Sequence, residues 1–290
     1  MVKSFDKRKQ SMPRIITMID VQGISKRYKD VPALSDIDLS VERGEIVGIA
    51  GLNGAGKSTL ISIMSGILKP DRGAVLHEGV DIFKPGGARS PLTIGYVPQE
   101  IALFDSLNVS DNLNFWASAG DASHGAKSGS TRAERIGNAL RMCDLADHSK
   151  KKISQLSGGM KRRANIAAAL VTEPDILIMD EPTAGLDVKN RKDILLFIRA
   201  LVSDSAEGSR PLTVVFTSHQ AGEFDLICDR IVLLDRGKKV FDGHVSQIST
   251  YFSGDVGDFV KNIGSDVGSS TIDDILYTLG SEKQDQKEGE

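Results

Sequence analysis

Gly51-Leu52-Asn53-Gly54-Ala55-Gly56-Lys57-Ser58 places three glycines, a lysine and a hydroxyl at the spacing G-x-x-x-x-G-K-[ST], which suits a loop that closes around phosphate groups. The glycines let backbone N–H groups converge on phosphate oxygens, and a helix opening here adds a dipole that favours anions. Lys57 would reach the terminal phosphates as a point charge, and the Ser58 hydroxyl could ligate Mg²⁺. A glycine turn can also serve mere chain reversal. The apolar run before this one and the stretch Thr59-Leu60-Ile61-Ser62-Ile63-Met64 after it argue instead for the strand, loop and helix that phosphate binding requires. Further along, Ile176-Leu177-Ile178-Met179 delivers Asp180 and Glu181 to the carboxyl end of a strand, where open α/β sheets bind ligands. Asp180 suits Mg²⁺, directly or through water, while Glu181 is expected to point elsewhere on the strand and to deprotonate an attacking water. Taken alone, the same residues could also be a capped turn before Pro182. A third element, Leu156-Ser157-Gly158-Gly159-Met160-Lys161-Arg162-Arg163, opens a helix with a serine cap and two glycines that expose N–H groups. On its own that is an ordinary helix start; beside a phosphate loop it is a second anion site, useful if two chains face each other and share two nucleotides.

The elements that must carry these residues are legible from periodicity. Residues 45–50 are apolar on both faces, as a buried parallel strand is, and residues 175–180, 212–217 and 230–235 repeat the pattern with helical stretches between several of them. These describe a doubly wound α/β core. Two further strands are expected around 15–22 and 34–42. Between about 100 and 165 the β-branched runs thin out, a small polar stretch covers 120–130, and 133–142 and 160–170 have helical spacing, so a helical insertion is expected there. Arg236-Gly237 makes a hairpin turn. Residues 1–13 read as a charged, frayed arm, and the last nine of 290 as disordered. No internal repeat is visible, and the motifs occur once each.

Composition narrows the class. With 36 Lys+Arg against 39 Asp+Glu and a net charge of -3, no global positive field gathers nucleic acid or anionic lipid, and no nucleic-acid partner is expected. Cys143 and Cys228 have neither metal-ligand nor framework spacing, which fits two buried thiols in a reducing compartment. No run approaches the roughly 20 apolar residues of a spanning helix, and the amino terminus lacks the apolar stretch of a secretory signal.

Taken together, the ordered motifs resemble the ABC ATPase family over residues 14–245, with residues 246–290 as an extension. The resemblance implies a P-loop NTPase (RecA-like) α/β core, an N-terminal antiparallel β subdomain and an α-helical subdomain inserted at about 100–165. It implies ATP and Mg²⁺ as ligands of Gly51, Asn53, Gly54, Ala55, Gly56, Lys57, Ser58 and Thr59. It further implies that Tyr28 stacks on adenine, that Gln99 in Tyr96-Val97-Pro98-Gln99 touches Mg²⁺ and the attacking water, and that Asp187 links two sites. His219 would hold the γ-phosphate, and Ser157, Gly158 and Gly159 would complete the site of an opposite subunit.

The branch of the family follows from what accompanies the motifs. Fused permeases would add spanning helices, SMC-type members would part the nucleotide motifs with long coiled coils, and translation-factor members carry two cassettes. A stand-alone subunit remains, either a homodimer or a paralogous heterodimer, at the cytoplasmic face of a membrane and driving an integral-membrane permease on another chain. The helix start Met160-Lys161-Arg162-Arg163, and a tail segment at 270–280 that looks like a short terminal helix, resemble ABC-2 type exporters. A soluble regulatory ATPase of the same fold is the competing reading. An unrelated P-loop GTPase or kinase lacks support, since no Asn-Lys-x-Asp motif is present and the Ser157 to Gly159 element would be left unexplained. Between Gln99 and Trp116, Ile101, Leu103, Phe104, Leu107, Val109, Leu113 and Phe115 also crowd together. Some must be core, and the resemblance places beside Gln99 a groove into which a short permease helix docks.

Overall fold

The structure, a computed structural model, describes residues 17–124, 129–203 and 211–247. Two sheets divide the strands. The first is antiparallel, in the order β2-β1-β4-β5, built from β1 (Thr17–Tyr28), β2 (Val31–Glu42), β4 (Arg72–His77) and β5 (Val80–Asp81). The second has the order β10-β9-β3-β8-β7-β6, from β3 (Ile46–Ala50), β6 (Ile94–Val97), β7 (Ile176–Met179), β8 (Thr213–Ser218), β9 (Arg230–Asp235) and β10 (Lys238–His244). Its strands run parallel from β9 to β6, and β10 joins as an antiparallel edge. Arg236 and Gly237, both at positive φ, make the β9–β10 turn anticipated from the sequence.

The continuous apolar runs of the parallel strands have a simple cause. On β3, Ile46 and Ala50 enter one core while Val47 and Ile49 enter the other, and β7, β8 and β9 split their side chains in the same way. One core is filled by α1 (Lys57–Met64) and the antiparallel sheet. The other receives α2 (Val109–His124), α3 (Arg132–Met142), α4 (Gly158–Leu170), α5 (Val188–Ser203) and α6 (Ala221–Ile227). At about 25 cal/mol per Å² of apolar surface, burial on both faces makes these strands the most costly part of the fold to disturb.

Several sequence expectations need correction. β1 continues six residues beyond the expected 22, because its later residues still pair with β2 through Tyr28 and Val31. β4, β5 and β6 were not anticipated: β5 has two residues, and Gly73 and Gly95 interrupt the β-branched pattern of the others. The small polar stretch at 120–130 begins inside α2, which runs to His124; Gly120 there lets the helix approach Thr172, whose methyl would lie 2.7 Å from an added Cβ. Burial pushes the Cys143 and Cys228 thiols up, although Cys228 is only partly covered. The expected arm at 1–13, the tail helix at 270–280 and the disordered last nine residues lie outside the described residues. Among the described residues, no helix is long and apolar enough to cross a membrane.

Candidate functional site

Four neighbouring parallel strands end on one edge of the sheet, and each is followed by a chemistry-bearing segment. In sheet order, β3 leads to Gly51–Lys57, β8 to His219, β7 to Asp180 and Glu181, and β6 to Pro98 and Gln99. The phosphate-type loop is shaped by its glycines: Gly51, Gly54 and Gly56 all have positive φ. A Cβ on Gly51 would lie 2.5 Å from Leu234 O, and one on Gly56 2.5 Å from Ala33 O. A side chain at either place would push the loop off its supports. Gly54, by contrast, faces open space. The β9–β10 turn braces the loop from behind, with Gly237 N donating to Ala55 O at 3.0 Å.

Lys57 lies buried at the start of α1, where its Nζ donates to Gly51 O at 2.8 Å and to Leu52 O at 3.3 Å. Burial lowers its pKa, with Glu181 and Asp180 opposing that shift, and Glu181 Oε1 is 3.9 Å away. Ser58 and Asn53 are exposed, and Thr59 is half-buried, one residue further into α1.

The sequence placed Glu181 at the carboxyl end of the strand, pointing elsewhere than Asp180 and free to act on a water. In the structure it stands just past β7 in a left-handed conformation, φ 43°, and its carboxylate is held. His219 Nδ1 donates to Oε1 at 3.1 Å and Gln99 Nε2 to Oε2 at 3.3 Å. A non-glycine residue in that region costs about 1–3 kcal/mol, and the peptide N–H of Glu181 is fixed by Thr217 Oγ1 at 2.9 Å. The same Thr217 hydroxyl donates to Asp180 Oδ1 at 2.6 Å, so one buried threonine fixes the Asp180 carboxylate and the Glu181 backbone. Sequence reasoning missed Thr217; its position two residues before His219, at the end of β8, was the available signal.

The other sequence candidates form a separate group. Ser157 caps α4 by accepting from Met160 N at 3.3 Å. Asp187 accepts from Asn190 N at 3.0 Å and Asn190 Nδ2 at 2.5 Å, and these bonds hold its carboxyl below the usual range. Asn190 also abuts the Ser157 turn, since a Cβ on Gly159 would lie 3.0 Å from its Oδ1; one on Gly158 would lie 3.5 Å from Leu186. Tyr28, half exposed at the end of β1, belongs to neither group. A second missed residue, Arg162, joins the two. Its guanidinium donates to Pro98 O at 3.2 Å, Gln99 O at 2.8 Å and Ala184 O at 3.4 Å, and burial lowers its pKa. Asn165, one turn later, donates to Glu100 O at 3.4 Å and accepts from Ala102 N at 3.1 Å.

Beyond Gln99 the apolar cluster divides. Val109 and Leu113 are core, Leu103 and Trp116 pack partly against it, and Phe104, Leu107 and Phe115 are exposed by 45%, 37% and 46%. Phe104 and Phe115 meet edge to face with centroids 5.0 Å apart.

Comparison with known proteins identifies the family. The family described as ABC transporter matches residues 34–184, and a model described as an AAA domain of a putative AbiEii toxin of a type IV toxin–antitoxin system matches residues 150–225. The linearmycin resistance ATP-binding protein LnrL of Bacillus subtilis is 38% identical over 238 residues, covering 82% of this chain and 73% of its own. The daunorubicin resistance ATP-binding protein DrrA3 of Streptomyces coeruleorubidus is 37% identical over 255 residues, covering 88% and 77%. Among solved structures, cbiO1 from Clostridium perfringens, part of the ABC transporter complex cbiONQ, superposes with a TM-score of 0.68 at 29% identity over 85% of this chain and 96% of its own. The dimeric post-hydrolysis cassette MJ0796 bound to ADP and Pi gives 0.63 at 28% identity over 78% and 98%. With the family matched over just over half of its length and relatives above 30% identity across most of it, this chain belongs to the ABC transporter family, as an ATP-hydrolysing ATP-binding cassette.

Proposed function

We propose that this cassette hydrolyses ATP with Glu181 as general base, in a dimer that encloses two nucleotides and drives export through a permease on a separate chain. The observation that carries the reading is the convergence of Lys57, Gln99 and His219 on the Glu181 carboxylate beside the glycine loop. In this reading the loop N–H groups from Gly51 to Thr59 bind the phosphates, and Lys57 exchanges its bonds to Gly51 O and Leu52 O for the terminal phosphate oxygens. Glu181 accepts the proton of the attacking water, His219 orients the γ-phosphate, and Tyr28 stacks on adenine. The remaining groups fit magnesium: among the described residues no three His, Cys, Asp or Glu side chains form a cage. Mg²⁺ characteristically takes one or two carboxylates, water and substrate phosphates instead. Ser58, Asp180 and Gln99 would hold it, and when bound it would neutralise charge on the phosphates.

Ser157 and Gly158 are exposed and Gly159 is buried at a helix start suited to a phosphate; none of the three bonds Asp180 or Glu181, so they fit the site of a second copy or a paralogue, with Asp187 between the two sites. Exposed Phe104, Leu107 and Phe115 beside the Gln99 loop suit a permease helix laid into a groove, which would hold the subunit peripherally at the cytoplasmic face of a membrane. Both relatives above are named for resistance, which moving a compound out of the cell would give, and that favours export; no relative described above favours a regulatory ATPase uncoupled from transport. The test is Lys57→Ala. Loss of its charge-assisted contact should weaken ATP binding by roughly 10- to 100-fold and abolish turnover, and chelating magnesium from the parent chain should abolish turnover as well. Unchanged affinity in the variant would refute the phosphate-loop assignment.

A further inference from the structure

Asp187 and His219 do not touch, yet a single, partly buried side-chain network spans the distance between their loops. Arg191, on the first turn of α5, donates through Nη2 to Leu186 O at 3.3 Å and through Nη1 to the Gln220 side-chain oxygen. Its Nε lies 3.5 Å from Glu223 Oε1 on α6. Glu223 is 3% exposed and accepts from Thr183 Oγ1 at 2.7 Å. The network therefore touches the residue before Asp187, the residue after His219, and the loop two residues beyond Glu181. Lysine could not replace the planar guanidinium here, because only its fork reaches acceptors on three segments at once.

A buried carboxylate needs a partner to offset its desolvation, but this pair is not what fastens α6 to the sheet. Phe224 does that, stacked on Phe216 of β8 with centroids 5.6 Å apart and packed over Gly48, where an added Cβ would lie 2.3 Å from its ring. Arg191 Nε and Glu223 Oε2 also lack hydrogen-bond partners, so the pair as it stands is loose and can still tighten.

We propose that Arg191 and Glu223 are positioning residues, a clamp that couples the Asp187 loop to His219. Closure of the seam between two chains then sets the group that orients the terminal phosphate. The proposal rests on the roles given above to Asp187 and His219, and deepens them by naming how one end of the site senses the other.

The experiment compares Arg191→Lys, Glu223→Gln and the double variant with the parent full-length chain, with Glu181→Gln in parallel. For each single variant, kcat should fall about 10- to 100-fold, the usual cost of misplacing catalytic groups by about 1 Å. ATP affinity should stay within about twofold, and the thermal midpoint should stay near that of the parent. The double variant should lose no more than the worse single, as residues acting through one contact do. Parental kcat in both singles, or losses that multiply in the double, would overturn the clamp. So would a fall in kcat that merely tracks ATP affinity and thermal midpoint, which a purely structural role would give. If Glu181→Gln stops turnover while the clamp variants behave as the parent, the clamp alone fails; if Glu181→Gln turns over normally, the reading of the site fails and the clamp with it.

Discussion

The strand-end region and the helical side of this cassette use their polar and aromatic groups in opposite ways. At the ends of β3, β8, β7 and β6, the key groups are bonded within the chain: Lys57 to its own loop, Thr217 to Asp180, and Gln99 and His219 to Glu181. Around the starts of α2, α4 and α5 the functional candidates are held in place but face outward, with Ser157, Gly158 and Asp187 exposed and Phe104, Leu107 and Phe115 uncovered. Under the proposed function, the contrast teaches that one region is wired for chemistry and the other for contact. Arg162 is the link between them, because it holds the backbone on both sides of Gln99 from within α4.

The largest effect that would sharpen this comparison is on the contact side alone. Phe104→Glu should abolish transport and co-purification with a permease while ATP binding and folding of the isolated subunit remain as in the parent, measured by nucleotide titration and thermal unfolding. A fully transporting variant would mean the coupling surface lies elsewhere, and an unfolded one would make Phe104 core. On the wired side, Thr217→Val removes the hydroxyl shared by Asp180 and the Glu181 peptide and leaves buried polar atoms unmatched, at a cost of about 1–3 kcal/mol. Turnover should drop roughly tenfold or more in a steady-state assay, and parental turnover would show that Thr217 does not hold Asp180 and the Glu181 backbone in place.

A smaller effect tests the frame beneath the loop. His77, almost fully buried, has Nε2 donating to Met64 O at 2.8 Å and Nδ1 within 2.7 Å of Ser90 Oγ, which pins the far end of α1. Burial lowers its pKa from 6.5. The unfolded chain therefore binds this proton more readily than the folded one, so stability is present above pH 6.5 and declines as pH falls through 6.5 towards the lowered folded value. Denaturant unfolding across that window should show a shallower acid loss in His77→Gln than in the parent, and identical slopes would remove His77 from that role.

What the sequence made legible follows from range. The strands buried on both faces appear as unbroken apolar runs, and the glycine loop, the Asp180-Glu181 pair and the Ser157 turn are contiguous, so the residues themselves spell the chemistry. Thr217, Arg162, Arg191 and Glu223 could not be found in that way, because each works on partners distant in sequence and brought near only by the sheet order. The place of Glu181 at the carboxyl end of β7 was legible, but its left-handed backbone was not, since a positive φ after β7 cannot be inferred from strand alternation. The exposed and buried members of the cluster after Gln99 were inseparable for a related reason: α2 buries Val109 and Leu113 on one face and leaves Phe115 on another.

The central claim is that each chain supplies the wired half of one site and the contact half of another. Sedimentation of the Glu181→Gln chain with and without ATP and magnesium tests it most directly, with bound nucleotide counted in each species. Loss of the base should cut turnover by about 10² to 10⁴, and ATP should then drive a stable dimer holding two unhydrolysed nucleotides. Adding Gly158→Glu, which sets a carboxylate against the phosphate of the facing site, should leave ATP on a monomer. A Glu181→Gln chain that stays monomeric with ATP, or one that dimerises equally well with Gly158→Glu, would contradict the account.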